Sequence, residues 1–277
     1  GDKIHINLSG ANRAVYSAAT GMNTYQFIRI SDSAASGELQ VTGGSLVSDS
    51  TATTYISSGG QTGTLNQSGG TVGFGGYLEV GLGANSIGNI NLSGGMLIAE
   101  RTGTVGGVPN VSMVLGDGNN AQGNLILSGG EFRTRMGVLL GNNGGKGRFE
   151  VDGAGIANIG TENANDDGFW LQNSNSVLAA YVNDGALGIV FVDNLTNSTG
   201  GTYADGNVIF MPGSKLEVGF LGATNAGSWD VMHWEGKLLT NGLAFASGTD
   251  TNWSFAFVDT DGTNGADTLR VSYGTPA

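Results

Sequence analysis

The stretches GNINLSGGML (residues 88–97) and GNLILSGGEF (123–132) are two copies of one phrase. It reads GELQVTGGSL at 37–46, GTLNQSGGTV at 63–72 and, in worn form, GRFEVDGAGI at 147–156. The opening glycines step by 26, 25, 35 and 24 residues. Self-similarity at a period of about 20–50 residues marks a chain that folds by stacking one unit on the next. Inside the phrase, apolar residues alternate with Asn, Gln, Thr and Glu. This is a strand pattern whose Leu-x-Leu pair points to one side while the polar residues point to the other.

The repeating unit is longer than the phrase. A second apolar stretch precedes each copy: FIRI at 27–30, YI at 55–56, YLEV at 77–80, MVL at 113–115 and VLL at 138–140. Between the two lies turn material such as SSGGQT, GLGANSI and GNNGGK. A third strand is expected after the Gly-Gly corner. Such a unit cannot bury its apolar face alone. Stacked on copies of itself at about 4.8 Å, it forms a parallel β-helix with rungs of about 25 residues. The longer step between Gly88 and Gly123 places an inserted loop at AERTGTVGGVPN (99–110).

The segment INLSGA (6–11) echoes INLSGG (90–95), so residues 1–36 read as a degenerate first coil. Regular coils run to about residue 160. Residues 161–277 continue the solenoid in irregular coils, with strands expected in NSVLAAYV, IVFVD, NVIFM and SKLEVGF. SWDVMHWEGKLL (228–239) and WSFAFVDTDGTNGADTLRVSY (253–273) carry three of the four tryptophans and are expected to form a β cap at the C-terminus. No helical periodicity is present, and the fold class is all-β.

Glycine accounts for 51 of 277 residues, against a usual share of about 7%. With no three-residue period and only three prolines, this is not collagen. The glycines serve corners and close backbone approach. A net charge of −12 argues against nucleic acid, which calls for clustered Lys and Arg, and against an anionic membrane surface. Charged residues make up only 12%, so the surface is expected to be a neutral coat of Asn, Ser, Thr and Gly. The absence of cysteine excludes disulfides and thiolate chemistry and suits an exported protein. No run of about 18 apolar residues suggests a membrane span. The first residue, Gly1, suggests a processed or trimmed form.

The Gly-x-Leu-x-Leu-Ser-Gly-Gly phrase resembles the autotransporter-associated β-strand repeats of large secreted bacterial proteins, and in particular the PEP-CTERM-type exported proteins of Verrucomicrobia and Planctomycetes. Trp229-Asp-Val-Met-His-Trp-Glu-Gly, Trp253-Ser-Phe-Ala-Phe-Val and Leu269-Arg-Val-Ser-Tyr are similar to the terminal region of that group. The resemblance implies a pectin-lyase-like β-solenoid in an extracellular or cell-surface setting and carries no catalytic residues. Neither a Pro-Glu-Pro tail with an apolar anchor nor an outer-membrane barrel is present in this sequence.

Two sets of residues are candidate sites. Asp259, Asp261, Asn264 and Asp267 place alternating oxygens around a Gly turn, a pattern suited to calcium. The distal Glu of an EF-hand is missing, and the competing reading is a hairpin loop rich in turn formers. Asp166 and Asp167, close before Trp170, are acids beside an aromatic and so candidate carbohydrate-binding residues. Their competing reading is also a turn. Phe74 and Tyr77 are further aromatics expected at the surface. His233, between tryptophans, is expected to be half-buried in the cap, and no residue is assigned a catalytic role.

The function expected is non-enzymatic: a structural or adhesive extracellular rod that self-associates end to end into filaments or a matrix by β-augmentation. Residues 1–30 and the Trp-rich end are the expected contact surfaces. The alternative is a protein that binds or cleaves polysaccharide, with neutral glycans favoured by the acidic charge. No cofactor beyond the candidate calcium is expected.

Overall fold

A computed structural model describes residues 3–8, 13–17, 22–32, 35–48, 50–100, 111–160, 168–192, 207–262 and 265–274. Each turn of the chain lays one strand on each of three sheets. The first sheet holds β1 (Lys3–Ile6), β4 (Phe27–Asp32), β7 (Thr54–Ser58), β10 (Leu78–Leu82), β13 (Val111–Asp117), β16 (Gly137–Asn142), β19 (Gly168–Leu171), β22 (Asn207–Phe210) and β25 (Leu238–Asn241), in that spatial order.

The second sheet holds β2 (Ala14–Tyr16), β5 (Gly37–Val41), β8 (Thr62–Gln67), β11 (Ile87–Leu92), β14 (Gln122–Leu127), β17 (Lys146–Asp152), β20 (Val177–Val182), β23 (Lys215–Phe220) and β26 (Ala244–Phe245). The third holds β3 (Met22–Tyr25), β6 (Ser45–Ser48), β9 (Thr71–Phe74), β12 (Met96–Ala99), β15 (Glu131–Thr134), β18 (Ile156–Ile159), β21 (Ile189–Val192) and β24 (Gly227–Trp234), and it ends in β28 (Thr268–Tyr273) and β27 (Trp253–Val258). Pairing between turns is parallel throughout, which makes the fold the expected parallel β-helix.

The sequence repeat and the structural register coincide. Gly37, Gly63, Gly88, Gly123 and Gly147 lie in one row across the second sheet. Two residues on, Leu39, Leu65, Ile90, Leu125, Phe149, Leu178 and Leu216 form a row that points into the core. The neighbouring inward row contains Gln67 among Val41, Leu92 and Leu127. Its buried amide donates to the carbonyls of Gly70 (3.1 Å) and Met96 (2.9 Å), which offsets much of its desolvation.

The glycines divide by physical role. At the opening position the constraint is space, because a Cβ on Gly63 would sit 2.7 Å from the Ile30 carbonyl oxygen and 2.7 Å from the Ser57 nitrogen. The opening glycines at 37, 88, 123 and 147 face the backbone of adjoining turns in the same way. The second glycine of each Gly-Gly corner is needed for conformation. Gly44, Gly70, Gly95 and Gly130 have φ between 71° and 82°, which costs an L-residue strain.

The phrase fades near residue 160, but the stacking continues. β19, β20 and β21 form one full turn, β22, β23 and β24 another, and β25 and β26 two-thirds of a third. Beyond them β28 pairs antiparallel with β24, and β27 with β28. This hairpin crosses the end of the core. Phe257 packs on Phe210 of the first sheet (5.9 Å), Phe255 on Phe245 of the second (5.0 Å), and Phe257 on Trp234 of the third (6.3 Å). Trp253 packs against Phe220, Tyr273 and Trp229 at 4.9, 5.0 and 5.9 Å. The inserted loop expected at 99–110 lies almost wholly outside the described residues. Among the described residues, no helix is long and apolar enough to cross a membrane.

Candidate functional site

The outward row of the first sheet runs Arg29, Tyr55, Glu79, Val114, Leu139, Trp170, Ile209. Its last four members form a second apolar cluster with Tyr77 and Val111, apart from the main core. Trp170 has no exposed surface, so it is not available to stack on a sugar as the sequence suggested. The physical reason is that this strand, Gly-Phe-Trp-Leu, is apolar on both faces. Phe169 and Leu171 fill the main core, while Trp170 fills the outer cluster. Phe74 and Tyr77, also expected at the surface, are 1% and 5% exposed. Asp166 and Asp167 lie outside the described residues.

Glu79 stands at the junction between the polar and apolar parts of this row. Burial, and after it the nearby Asp117 carboxylate, pushes its carboxyl up to about 7. Next to it, the Arg29 guanidinium lies 5.0 Å from the Tyr55 ring centre and 4.6 Å from that of Phe27.

On the outer face of the second sheet the repeat's polar residues bond to one another. Asn66 donates to Glu38, Asn91 to Asn66, Asn124 to Asn89 and Asn89 to Thr64, at 3.0, 2.7, 2.9 and 3.5 Å. Further along, Arg148 joins two carboxylates. Its Nε donates to Glu150 Oε2 (2.9 Å), and Nη1 and Nη2 donate to the two oxygens of Glu217 (2.8 and 3.1 Å). Tyr181 also donates to Glu217. The hydrogen bond from Arg148 holds the Glu217 carboxyl below its usual range against the opposing effect of burial. Burial, then the Glu217 bond, pushes the Tyr181 hydroxyl up to about 12. This network was missed in the sequence. Its only trace there is the Arg-x-Glu of β17, because Glu217 is brought in from two turns away by register.

The turn between β27 and β28 gathers three of the four candidate calcium ligands. Asp259, Asp261 and Asp267 each present a carboxylate oxygen, all within 4.8 Å of one another, and Asn264 lies outside the described residues. Much of this oxygen is already engaged. Asp267 accepts from the Thr260 and Asp261 amides (3.1 and 3.2 Å) and from the hydroxyls of Thr260 (2.9 Å) and Thr268 (2.7 Å). Burial raises the Asp267 pKa, but these bonds together outweigh it and hold the carboxyl low. Asp259 accepts from the Gly262 amide at 2.6 Å. The Asp259 and Asp267 carboxylates are thus engaged within the turn, and a calcium ion, which takes six to eight oxygens, would have to share them.

The same turn walls a pocket of about 620 Å³ on the outer face of the third sheet, with Asn158, Phe191, His233, Glu235 and Asp261 among its lining. His233 and Phe191 are neighbours in one outward row and stack at 5.8 Å with their planes 16° apart. His233 Nδ1 lies 2.7 Å from Thr268 Oγ1, and its Nε2 is 3.7 Å from Asp230, which also binds Arg270. His233 is half-buried, as the sequence suggested. Phe191 is 39% exposed and went unnoticed in the sequence, because IVFVD reads simply as a strand.

Comparison with protein-family models, curated proteins and solved structures finds no match to this chain.

Proposed function

We propose that this chain is a non-enzymatic extracellular scaffold, a stiff rod whose work is done by its shape, and that two copies join through their N-terminal turns. The observation that carries this reading is the use to which the repeat puts its outward polar residues. Asn66, Asn89, Asn91 and Asn124 bond from turn to turn along the rod, which commits the repeated surface to cohesion rather than to recognition. Glu150 and Glu217 are likewise held on one arginine. Export is supported by the cysteine-free, weakly charged composition and by the likeness of the phrase to autotransporter-associated repeats.

The two ends differ. Among the described residues β1, β2 and β3 are the outermost strands of their sheets at the N-terminal side, and Leu8 and Val15 are 56% and 60% exposed. At the other end the β27–β28 hairpin packs over the core, and Trp234 and Trp253 are turned inward, 3% and 6% exposed. An edge strand presents unpaired backbone groups to a second strand. With one end capped, contact through identical N-terminal ends is isologous and closes as a two-fold pair instead of growing as a filament.

Sedimentation and small-angle scattering over a wide concentration range test this. The nine levels among the described residues, at about 4.8 Å each, span about 40 Å. The expected result is a shift from one to two masses, with the longest dimension doubling. Monomers at every concentration, or open-ended fibres, would overturn it.

A further inference from the structure

The pocket on the third sheet is not explained by a scaffold role. Its rim and floor differ in chemistry from the rest of the rod. The wall is an aromatic pair, Phe191 on His233, and Phe191 is among the few large apolar side chains left exposed. Around the pair stand the Asn158 amide and the carboxylates of Glu235 and Asp261, so the rim offers both donors and acceptors. Two carboxylates beside the pair are engaged, Asp267 by the four groups that donate to it and Asp230 by Arg270 at 2.6 Å. The further carboxylates of Glu235 and Asp261 in the lining disfavour an anionic ligand.

We infer that this pocket binds a neutral sugar unit of an uncharged polysaccharide. A pyranose ring has an apolar C–H face that packs on the exposed part of the Phe191–His233 pair. Its hydroxyls both donate and accept, which matches the mixed rim. A volume of about 620 Å³ falls within the range of small-molecule sites, about 300–1,000 Å³. The polysaccharide is not confined to the pocket. Along the same outward row, toward the N-terminal end, Phe191 is followed by Asn158 and then Arg133. Glu131 accepts from both of these, each at 2.6 Å, and Ile156 beside them is 41% exposed. A glycan lying along the axis thus meets one outward side chain of this row per turn, about every 4.8 Å, some polar and some apolar. The proposal is independent of N-terminal pairing, because the row and pocket lie on the third sheet toward the capped end.

The test uses the whole chain, isotope-labelled, titrated with neutral gluco-, xylo-, manno- and galacto-hexaoses and with a hexuronate as the anionic counterpart. The expected result is saturable amide shifts centred on residues 158, 191, 233 and 261 with at least one neutral hexaose, and none with the hexuronate. Phe191→Ala, at an exposed position that leaves the core intact, should weaken binding at least tenfold, and Phe191→Tyr should retain it. Wild-type-like melting of both variants separates lost contact from lost fold. No shift with any neutral hexaose, shifts centred elsewhere, equal binding of the hexuronate, or unchanged affinity in a folded Phe191→Ala would each overturn the proposal.

Discussion

Replacing Gly63 by alanine places a methyl carbon 2.7 Å from the Ile30 carbonyl oxygen, 2.7 Å from the Ser57 nitrogen and 3.1 Å from the Ser57 Cα. Comfortable contact for a carbon is about 3.5–4.0 Å. Strands β4, β7 and β8 would have to separate locally by most of an ångström. All three opposing atoms are backbone held in the ladders, so no side chain can swing away. Overpacking of a tight site costs about 1–3 kcal/mol, and an obstruction made of backbone belongs at the upper end, ~3 kcal/mol. Gly83→Ala is the matched control. Gly83 has φ of 79°, and a methyl there meets nothing within 4 Å. Its cost is left-handed strain of about 1–2 kcal/mol, reduced by about 0.4–1 kcal/mol from the stiffer unfolded chain. The same unfolded-chain gain applies at Gly63, so at about 2–4 °C per kcal/mol for a protein of this size the losses in Tm are about 4–10 °C for Gly63→Ala and about 2–3 °C for Gly83→Ala. Circular dichroism melts read the difference, and hydrogen exchange should quicken in β4, β7 and β8 of the first variant alone. Equal losses in the two variants would refute the reading of the opening glycine as a site of close approach.

Glu79 keeps its proton up to about pH 7, whereas an unfolded glutamate releases it near ~4.3. The folded chain binds the extra proton in that window, so stability falls as pH rises from about 4.5 to 7, by about 2–3 kcal/mol. Glu79→Gln should flatten this slope and stabilise the protein at pH 8 in urea melts; an unchanged slope would contradict the assignment. Glu217 has the opposite sign, since its depressed carboxyl stabilises above the unfolded value and loses that contribution as pH falls through the folded value. Arg148→Met should therefore cost about 1–3 kcal/mol at pH 7, with the deficit shrinking in acid, and a deficit that grows in acid would count against the network. Because Asp259 and Asp267 already satisfy the amides of their own turn, melting in chelator and in millimolar calcium should agree within about 1 °C, about a quarter to a half of a kcal/mol at this size. A rise of several degrees would mean that the turn takes up calcium, as the sequence pattern suggests.

The turns were legible because the repeat is written at the period of the fold. Leucines two apart and a Gly-Gly corner define a strand, its inward side and its end, and register carries that pattern from Gly37 to Gly147. The outer apolar cluster was not read, although its signal was present. VLL at 138–140 and FWL at 169–171 are continuous apolar runs, and such runs mark strands buried on both faces. Taking Trp170 as exposed treated one of these runs as an alternating strand. The Arg148 network and the pocket on the third sheet have a different cause. Glu150 and Glu217, or Asn158 and Phe191, are far apart in sequence and neighbours only through turn-to-turn register, which depends on the exact length of every intervening corner.

The central claim, that the rod works by shape and joins through its N-terminal turn, is tested most directly by spin labels at the two ends. The chain has no cysteine, so Val15→Cys and Leu239→Cys each give a single label, the first on β2 and the second on β25, 60% and 37% exposed in the parent residues. Dipolar spectroscopy on each variant should give a short, defined distance between copies for the label at residue 15 and none for that at residue 239. No signal between copies at residue 15 at any concentration, or one of equal strength at residue 239, would contradict it.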